Sequence, residues 1–260
     1  MQDWGERESL MKSKAYLFVC LCFILLAVPT LRGQTSNLDA AKRAGEILKE
    51  SMKAAGGDAL FKVERIELTS SGPVFGPMGE MSVEIGVKVA FPDKVRMTNV
   101  IAQFGTLENG FDGKAGWLLS PQGSMDLPAD MNNDALRGIA MTAGIGIYRQ
   151  VKDGTVKAEF TGEKEFNGKK ALEVEWMGPS GKVKLYIDPE TKIFTGARCR
   201  IITMQGAADE ERRWSDYRVV DGVQFPYKWM AFRDGQPFSS QTVKEVKFNT
   251  PMDAATFAKP

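Results

Sequence analysis

Carboxylates carry whatever acid–base chemistry this 260-residue chain can do, because it contains no histidine. Without imidazole there is no Ser-His-Asp or Cys-His nucleophile system and no His-ligated zinc or iron site. Cys20 and Cys22 lie in an apolar N-terminal run, so Cys199 stands alone in the rest of the chain and cannot build a thiolate cluster. No Gly-x-Ser-x-Gly and no Gly-x-Gly-x-x-Gly occurs. Gly113-Lys114, Gly168-Lys169 and Gly181-Lys182 lack the Ser or Thr that a phosphate-binding loop places next. What remains is Glu163 and Glu165, Glu173 and Glu175, and the run Asp209-Glu210-Glu211. Alternate residues of a strand share a face, so such a pair can supply the acid and base of a hydrolase. The same alternation, with Leu172, Val174 and Trp176 interleaved, also describes the wet side of a half-buried strand. Asp188 and Asp209 lack the ligand spacing of an EF-hand. The sequence thus predicts no catalytic residue, no metal site and no cofactor, with an Asp/Glu hydrolase as the alternative.

The elements that position these residues are mostly strands. Residues 80–91 set Met81, Val83, Ile85, Val87, Val89 and Phe91 on one face, against Glu80, Ser82, Glu84, Gly86, Lys88 and Ala90. Further strands are predicted at 94–101, 103–109, 115–120, 156–161, 170–177, 182–188, 193–204, 209–219, 223–233 and 239–248. Asn109-Gly110, Asp112-Gly113, Asn167-Gly168, Asp221-Gly222 and Asp234-Gly235 are the expected turns. Strands at this spacing make an antiparallel meander. A helix is predicted over 37–55, with Leu38, Ala41, Gly45, Leu48, Met52 and Ala55 as its apolar stripe and Gly56-Gly57 as its stop. Residues 121–150 interrupt the meander. Leu136, Ile139, Ala140, Ala143 and Ile147 keep helical spacing there, weakened by Gly138, Gly144 and Gly146. This segment is either a lid or a core helix plugging the end of a barrel.

Lys12 and Lys14 precede an apolar run from Ala15 to Val28, followed by Pro29 and Gly33. That order describes a secretory signal peptide over residues 1–33, with Met11 as a second candidate start. An uncleaved anchor, tethering the protein to the membrane, is the alternative. The domain organisation expected is then a signal peptide and one domain over 34–260, placed in the periplasm. Four of the 34 basic and three of the 33 acidic residues fall in the first 33, leaving thirty of each sign. No net field draws in nucleic acid.

A meander with one apolar face must close on itself or be covered. One strong and one weak helix offer little cover, which points to an apolar cavity open to a ligand. By facing and size, the candidate lining residues are Val83, Ile85, Val87, Val89, Met97, Trp117, Leu119, Val174, Trp176, Leu185 and Trp229.

Several segments together resemble the bacterial outer-membrane lipoprotein-sorting superfamily, the periplasmic lipoprotein-carrier type. They are Ala54-Ala55-Gly56-Gly57, Phe91-Pro92-Asp93-Lys94-Val95-Arg96, Phe111-Asp112-Gly113-Lys114-Ala115-Gly116-Trp117, Leu185-Tyr186-Ile187-Asp188-Pro189-Glu190-Thr191 and the run from Ser215 to Pro226. The resemblance implies an α+β domain: an incomplete antiparallel β-barrel, or strongly curved sheet, around an apolar cavity, with an N-terminal helix and a second helical lid segment. It implies a non-catalytic carrier whose partners are acyl chains, lipid or lipoprotein. A third reading is an envelope-assembly module that binds envelope proteins through a strand edge.

Overall fold

A computed structural model describes residues 31–260, apart from 78, 103 and 180. The signal-peptide expectation rests on residues 1–30 and lies outside the described residues. Helix α1 spans Leu31–Ala54. Residues 40–260 form one compact unit; 31–39, the first turns of α1, are the described part of a second. No helix among the described residues is long and apolar enough to cross a membrane.

Thirteen antiparallel strands form one sheet. The first meander is β1 (Arg65–Gly76), β2 (Gly79–Ala90), β3 (Lys94–Ile101), β4 (Gly105–Phe111), β5 (Gly116–Ser120) and β6 (Gly123–Asp126). Helices α2 (Ala129–Met141) and α3 (Ile145–Lys152) follow. The second meander is β7 (Ala158–Phe166), β8 (Lys169–Gly178), β9 (Gly181–Ile187), β10 (Phe194–Thr203), β11 (Gly206–Val220), β12 (Val223–Arg233) and β13 (Gln236–Phe248). The two join where β1 pairs with β13, and the sheet ends at β6 on one side and β7 on the other. The sheet is therefore an unclosed barrel.

The turns follow from their residues. Asn167-Gly168, Asp221-Gly222 and Asp234-Gly235 have positive φ at both central positions, the geometry a two-residue hairpin needs. Asp112 and Asp188 each accept two backbone N–H bonds through Oδ1, fixing the turns that follow β4 and β9. Asn109-Gly110 is not a turn: both residues lie inside β4. Gly110 is needed there because a Cβ would lie 2.4 Å from the Trp117 ring.

The helices differ in detail from the sequence reading. The buried stripe of α1 is Ala44, Ile47, Leu48, Ser51 and Ala55, while Ala41 is exposed and Gly45 half-buried. Burial selects Ile47, the larger side chain, and rotates the stripe accordingly. The 121–150 segment contains the edge strand β6 and two helices rather than one. Ala143 (φ 48°) and Gly144 (φ 72°) break the helix, so the apparent spacing from Leu136 to Ile147 runs across a kink. Strand β1 escaped prediction, because Ser70, Gly72 and Pro73 interrupt its apolar pattern.

The main core lies between α1, α3 and the inner face of the sheet. Ile145, Ile147 and Tyr148 of α3 are buried with Leu172, Val174, Trp176, Val183, Leu185 and Ile187 of β8 and β9. Ser51 and Tyr148 share a 2.7 Å hydrogen bond between α1 and α3, and Tyr148 stacks on Phe194 at 5.2 Å. Opposite them, Trp117 is sealed on the outer face, its indole donating to the Phe257 carbonyl at 3.0 Å beneath the C-terminal turn Ala254–Phe257. Gly110→Ala is expected to destabilise by about 1–3 kcal/mol through overpacking against this ring. The loss should shrink in a Trp117→Leu background, a coupling that urea denaturation of the four proteins of the cycle reads directly.

Candidate functional site

The register sorts the inner face into two parts. One row runs Trp176, Val183, Cys199, Glu210, Arg233 across β8 to β12, and the next runs Val174, Leu185, Ala197, Arg212, Ala231, Ser239 across β8 to β13. At the β8–β9 end both rows are completely buried. At β11 and β12 they open: the Arg212 side chain keeps 38% of its surface and Arg233 keeps 33%. Trp214 and Trp229 face each other there, half-buried. Beyond β13 and β1, Val87, Met97, Asn99 and Ile101 are again half-buried. Between them lie Ser70, Val83, Ile85, Ser239 and Gln241, which are buried. Helices α1 and α3 thus cover one end of the inner face, where Ile66, Leu68, Val89, Val223, Phe225, Val243 and Val246 join the core, and leave a trough at the other end of β11–β13 and β1–β3.

The eleven expected lining residues divide accordingly. Val83 and Ile85 of β2 and Met97 of β3 face the trough, and Val87 and Trp229 lie at its border, packed against the helix-covered core. Val89, Val174, Trp176 and Leu185 belong to the helix-covered core. Trp117 and Leu119 lie on the opposite face, since they pair with Gly110 and Glu108, whose neighbours Arg96 and Thr98 point outward beside Lys88 and Gly86. Surface clefts of about 540, 520 and 430 Å³ lie on the outer face of β8–β12, at the turn following β2 and beneath Thr256; Cys199 and Glu210 border the first and Val87 the last.

Sequence reasoning passed over the charged cluster at the rim of the trough. Glu210 is buried on the inner face, not on a wet one. Arg212 Nε lies 2.6 Å from its Oε1 and Arg233 Nε 3.7 Å from its Oε2. Burial alone would raise the Glu210 carboxyl, but Arg212, with Arg233 and Arg137, outweighs that and holds it below the ordinary carboxylate range. Arg137 comes from α2 and pairs with Asp134 at 3.0 Å. Both residues also cap the strand edge left when β9 ends: Asp134 Oδ2 accepts the Ile202 N–H at 2.6 Å, and Arg137 donates to the Arg200 carbonyl at 3.1 Å. The alternation Glu210, Arg212, Trp214 was the available signal, and it reads equally well as solvent-facing.

Glu173, the other candidate acid, is also buried. It accepts from Thr161 at 2.7 Å and lies beside Lys184 and the stacked pair Phe166–Tyr186 on the outer face. Burial pushes its carboxyl up, but these hydrogen bonds and Lys184 bring it below the ordinary range. The tyrosine hydroxyl is pushed up to about 12 by its own burial and by this carboxylate. Among the described residues no group of three or more acidic or sulfur side chains is placed to hold a metal ion.

No family model matches the sequence, and no curated protein matches it. Solved structures do share the architecture. A LolA superfamily protein from Nitrosomonas europaea is 13% identical, over 83% of this chain and 97% of its own, with a TM-score of 0.56. A DUF1329 family protein from Desulfovibrio piger is 10% identical, over 84% and 97%, at 0.57. An outer membrane lipoprotein-sorting protein domain from Vibrio parahaemolyticus is 12% identical, over 84% and 97%, at 0.53. The chain has the fold of LolA-like lipoprotein-sorting proteins, an open antiparallel barrel packed with helices.

The charge cluster sets an acid limit on stability. Because the Glu210 carboxyl is lowered in the folded state, its contribution is complete above the unfolded value of about 4.3 and is lost as pH falls through the folded one. Glu210→Gln is expected to cost about 2–4 kcal/mol at pH 7 and to flatten the acid limb of stability against pH, read by urea denaturation from pH 7 to 3. An unchanged acid limb would mean that other carboxylates set it.

Proposed function

We propose that the mature chain is an exported, non-catalytic carrier that takes the acyl chains of a lipid or an acylated protein onto its inner face. Its place is the periplasm, in the sorting of outer-membrane lipoproteins or a related transfer of acylated cargo. The observation that carries this reading is the uncovered trough, where Trp229, Trp214, Val87 and Met97 keep accessible surface on the face that β8 and β9 seal completely. Apolar surface of this kind gains about 0.8 kcal/mol for each methylene it removes from water. The shared fold supports the same reading, since one of the matched structures bears the name of a lipoprotein-sorting domain.

The buried carboxylates argue against the hydrolase. A general acid needs a carboxyl pushed up toward neutral pH. Glu173 and Glu210 are both held down, by hydrogen bonds and by cations respectively.

Native mass spectrometry of the mature protein, purified mildly from the periplasm, with lipid extraction, tests the carrier. Co-purifying phospholipid or acyl peptide near one per chain is the expected result. A bare protein that also takes up no added fatty acid would remove the acyl-binding claim and turn attention to protein partners.

A further inference from the structure

Resting on the carrier reading, we propose that the inner face selects an amphiphile with an anionic head, a carboxylate or phosphate that sits between Arg212 and Arg233 while the acyl chain runs past Trp229 toward Met97. Two guanidiniums, Arg212 and Arg233, gather on the inner side around one carboxylate, Glu210. The group therefore carries one uncompensated positive charge, on a face otherwise made of Trp, Val, Met and small polar side chains.

The arrangement around Glu210 adds to this. One carboxylate is shared by two arginines from adjacent strands, Arg212 at 2.6 Å and Arg233 at 3.7 Å, the latter beyond hydrogen-bond reach. Arg233 Nε is buried and has no hydrogen-bond partner. Burial depresses the Arg233 guanidinium, and Arg212 repels it. A second anion against the exposed part of the Arg233 side chain would offset that repulsion. Its guanidinium plane is fixed 3.4 Å over the Phe238 ring, so the fork is already oriented.

The apolar side is continuous with the charged one. Arg212 pairs across the strands with Ala231, and Ala231 lies two residues from Trp229, which faces Trp214. From Trp229 the register passes to Gln241 on β13 and past Gly72 of β1 to Val83 of β2, with Ile85, Val87 and Met97 on the rows beyond. A head at the arginines therefore leaves its chain along the trough, not in solvent. Ser70, Ser239 and Gln241 form a polar floor near the arginines, their donors spent on one another and on the Pro73 carbonyl.

Calorimetry on the delipidated mature protein tests this with four defined probes: hexadecanoate, hexadecanol, a short-chain phosphatidylglycerol and inorganic phosphate. Hexadecanoate or the phosphatidylglycerol should bind about tenfold or more tightly than hexadecanol. Arg212→Gln should remove that preference while leaving hexadecanol within about twofold, and Arg212→Lys should restore part of it. Comparing the two anionic amphiphiles distinguishes a carboxylate from a phosphate head, and inorganic phosphate shows whether the arginines bind the anion without a chain. Equal binding of hexadecanol and the anionic probes would overturn the head-group selection and leave the carrier intact. No binding of any amphiphile would overturn both. Should Arg212→Gln fail to fold, Arg233→Gln carries the same comparison.

Discussion

A thirteen-stranded sheet with one apolar face has to hide that face from water, and most of this structure is a partial answer to that demand. The sheet curls but does not close, since β6 and β7 remain separate edges. Helices α1 and α3 then fill the curve against β8 and β9, where Val174, Trp176, Val183 and Leu185 lose all contact with solvent. These helices reach only one end of β12, β13, β1 and β2, where Val223, Phe225, Val243, Val246, Ile66, Leu68 and Val89 join the same core, and leave the other end without them. The protein covers that remainder with few large side chains, placing Ser70, Ser239, Gln241 and a set of arginines among the aliphatics. A face that is neither filled nor wholly apolar is suited to a guest with both an apolar body and a polar end.

The charges are arranged by the same geometry. Strand β9 ends before β10 does, leaving backbone groups of Arg200 and Ile202 without a neighbouring strand. Helix α2 supplies Asp134 and Arg137 to those groups, and so brings a third guanidinium toward Glu210. Edge protection and the charge cluster are thus products of one contact. This links the sheet margin to the trough, because a shift of α2 would uncover the β10 edge and loosen the group around Glu210 together.

Much of the fold could be read from the residues, and the failures have a common cause. Strand β2 was plain because all of Val83, Ile85 and Val89 are buried against alternating polar partners. The hairpins at Asn167-Gly168, Asp221-Gly222 and Asp234-Gly235 were plain because their backbone demands those residues, whereas Asn109-Gly110 carries the same signal inside a strand. Strand β1 was not, because its inner positions Ser70 and Gly72 face the trough and so break the apolar rule. Facing and size place Trp117 among the lining residues, whereas the register puts it on the outer face. The C-terminal turn covers the outer face at that point, so a large buried ring is possible on either side. Glu210 and Arg212 were hidden for the same reason as β1: polar residues at inward positions look like a solvated face until the register is known.

The most direct measurement is a crystal structure of the mature protein purified mildly, with its native cargo retained. This account predicts elongated density along the inner face from Arg212 and Arg233, past Trp229, to Met97. Side chains closed over an empty trough, or density in the outer cleft lined by Lys184 and Arg198, would contradict it.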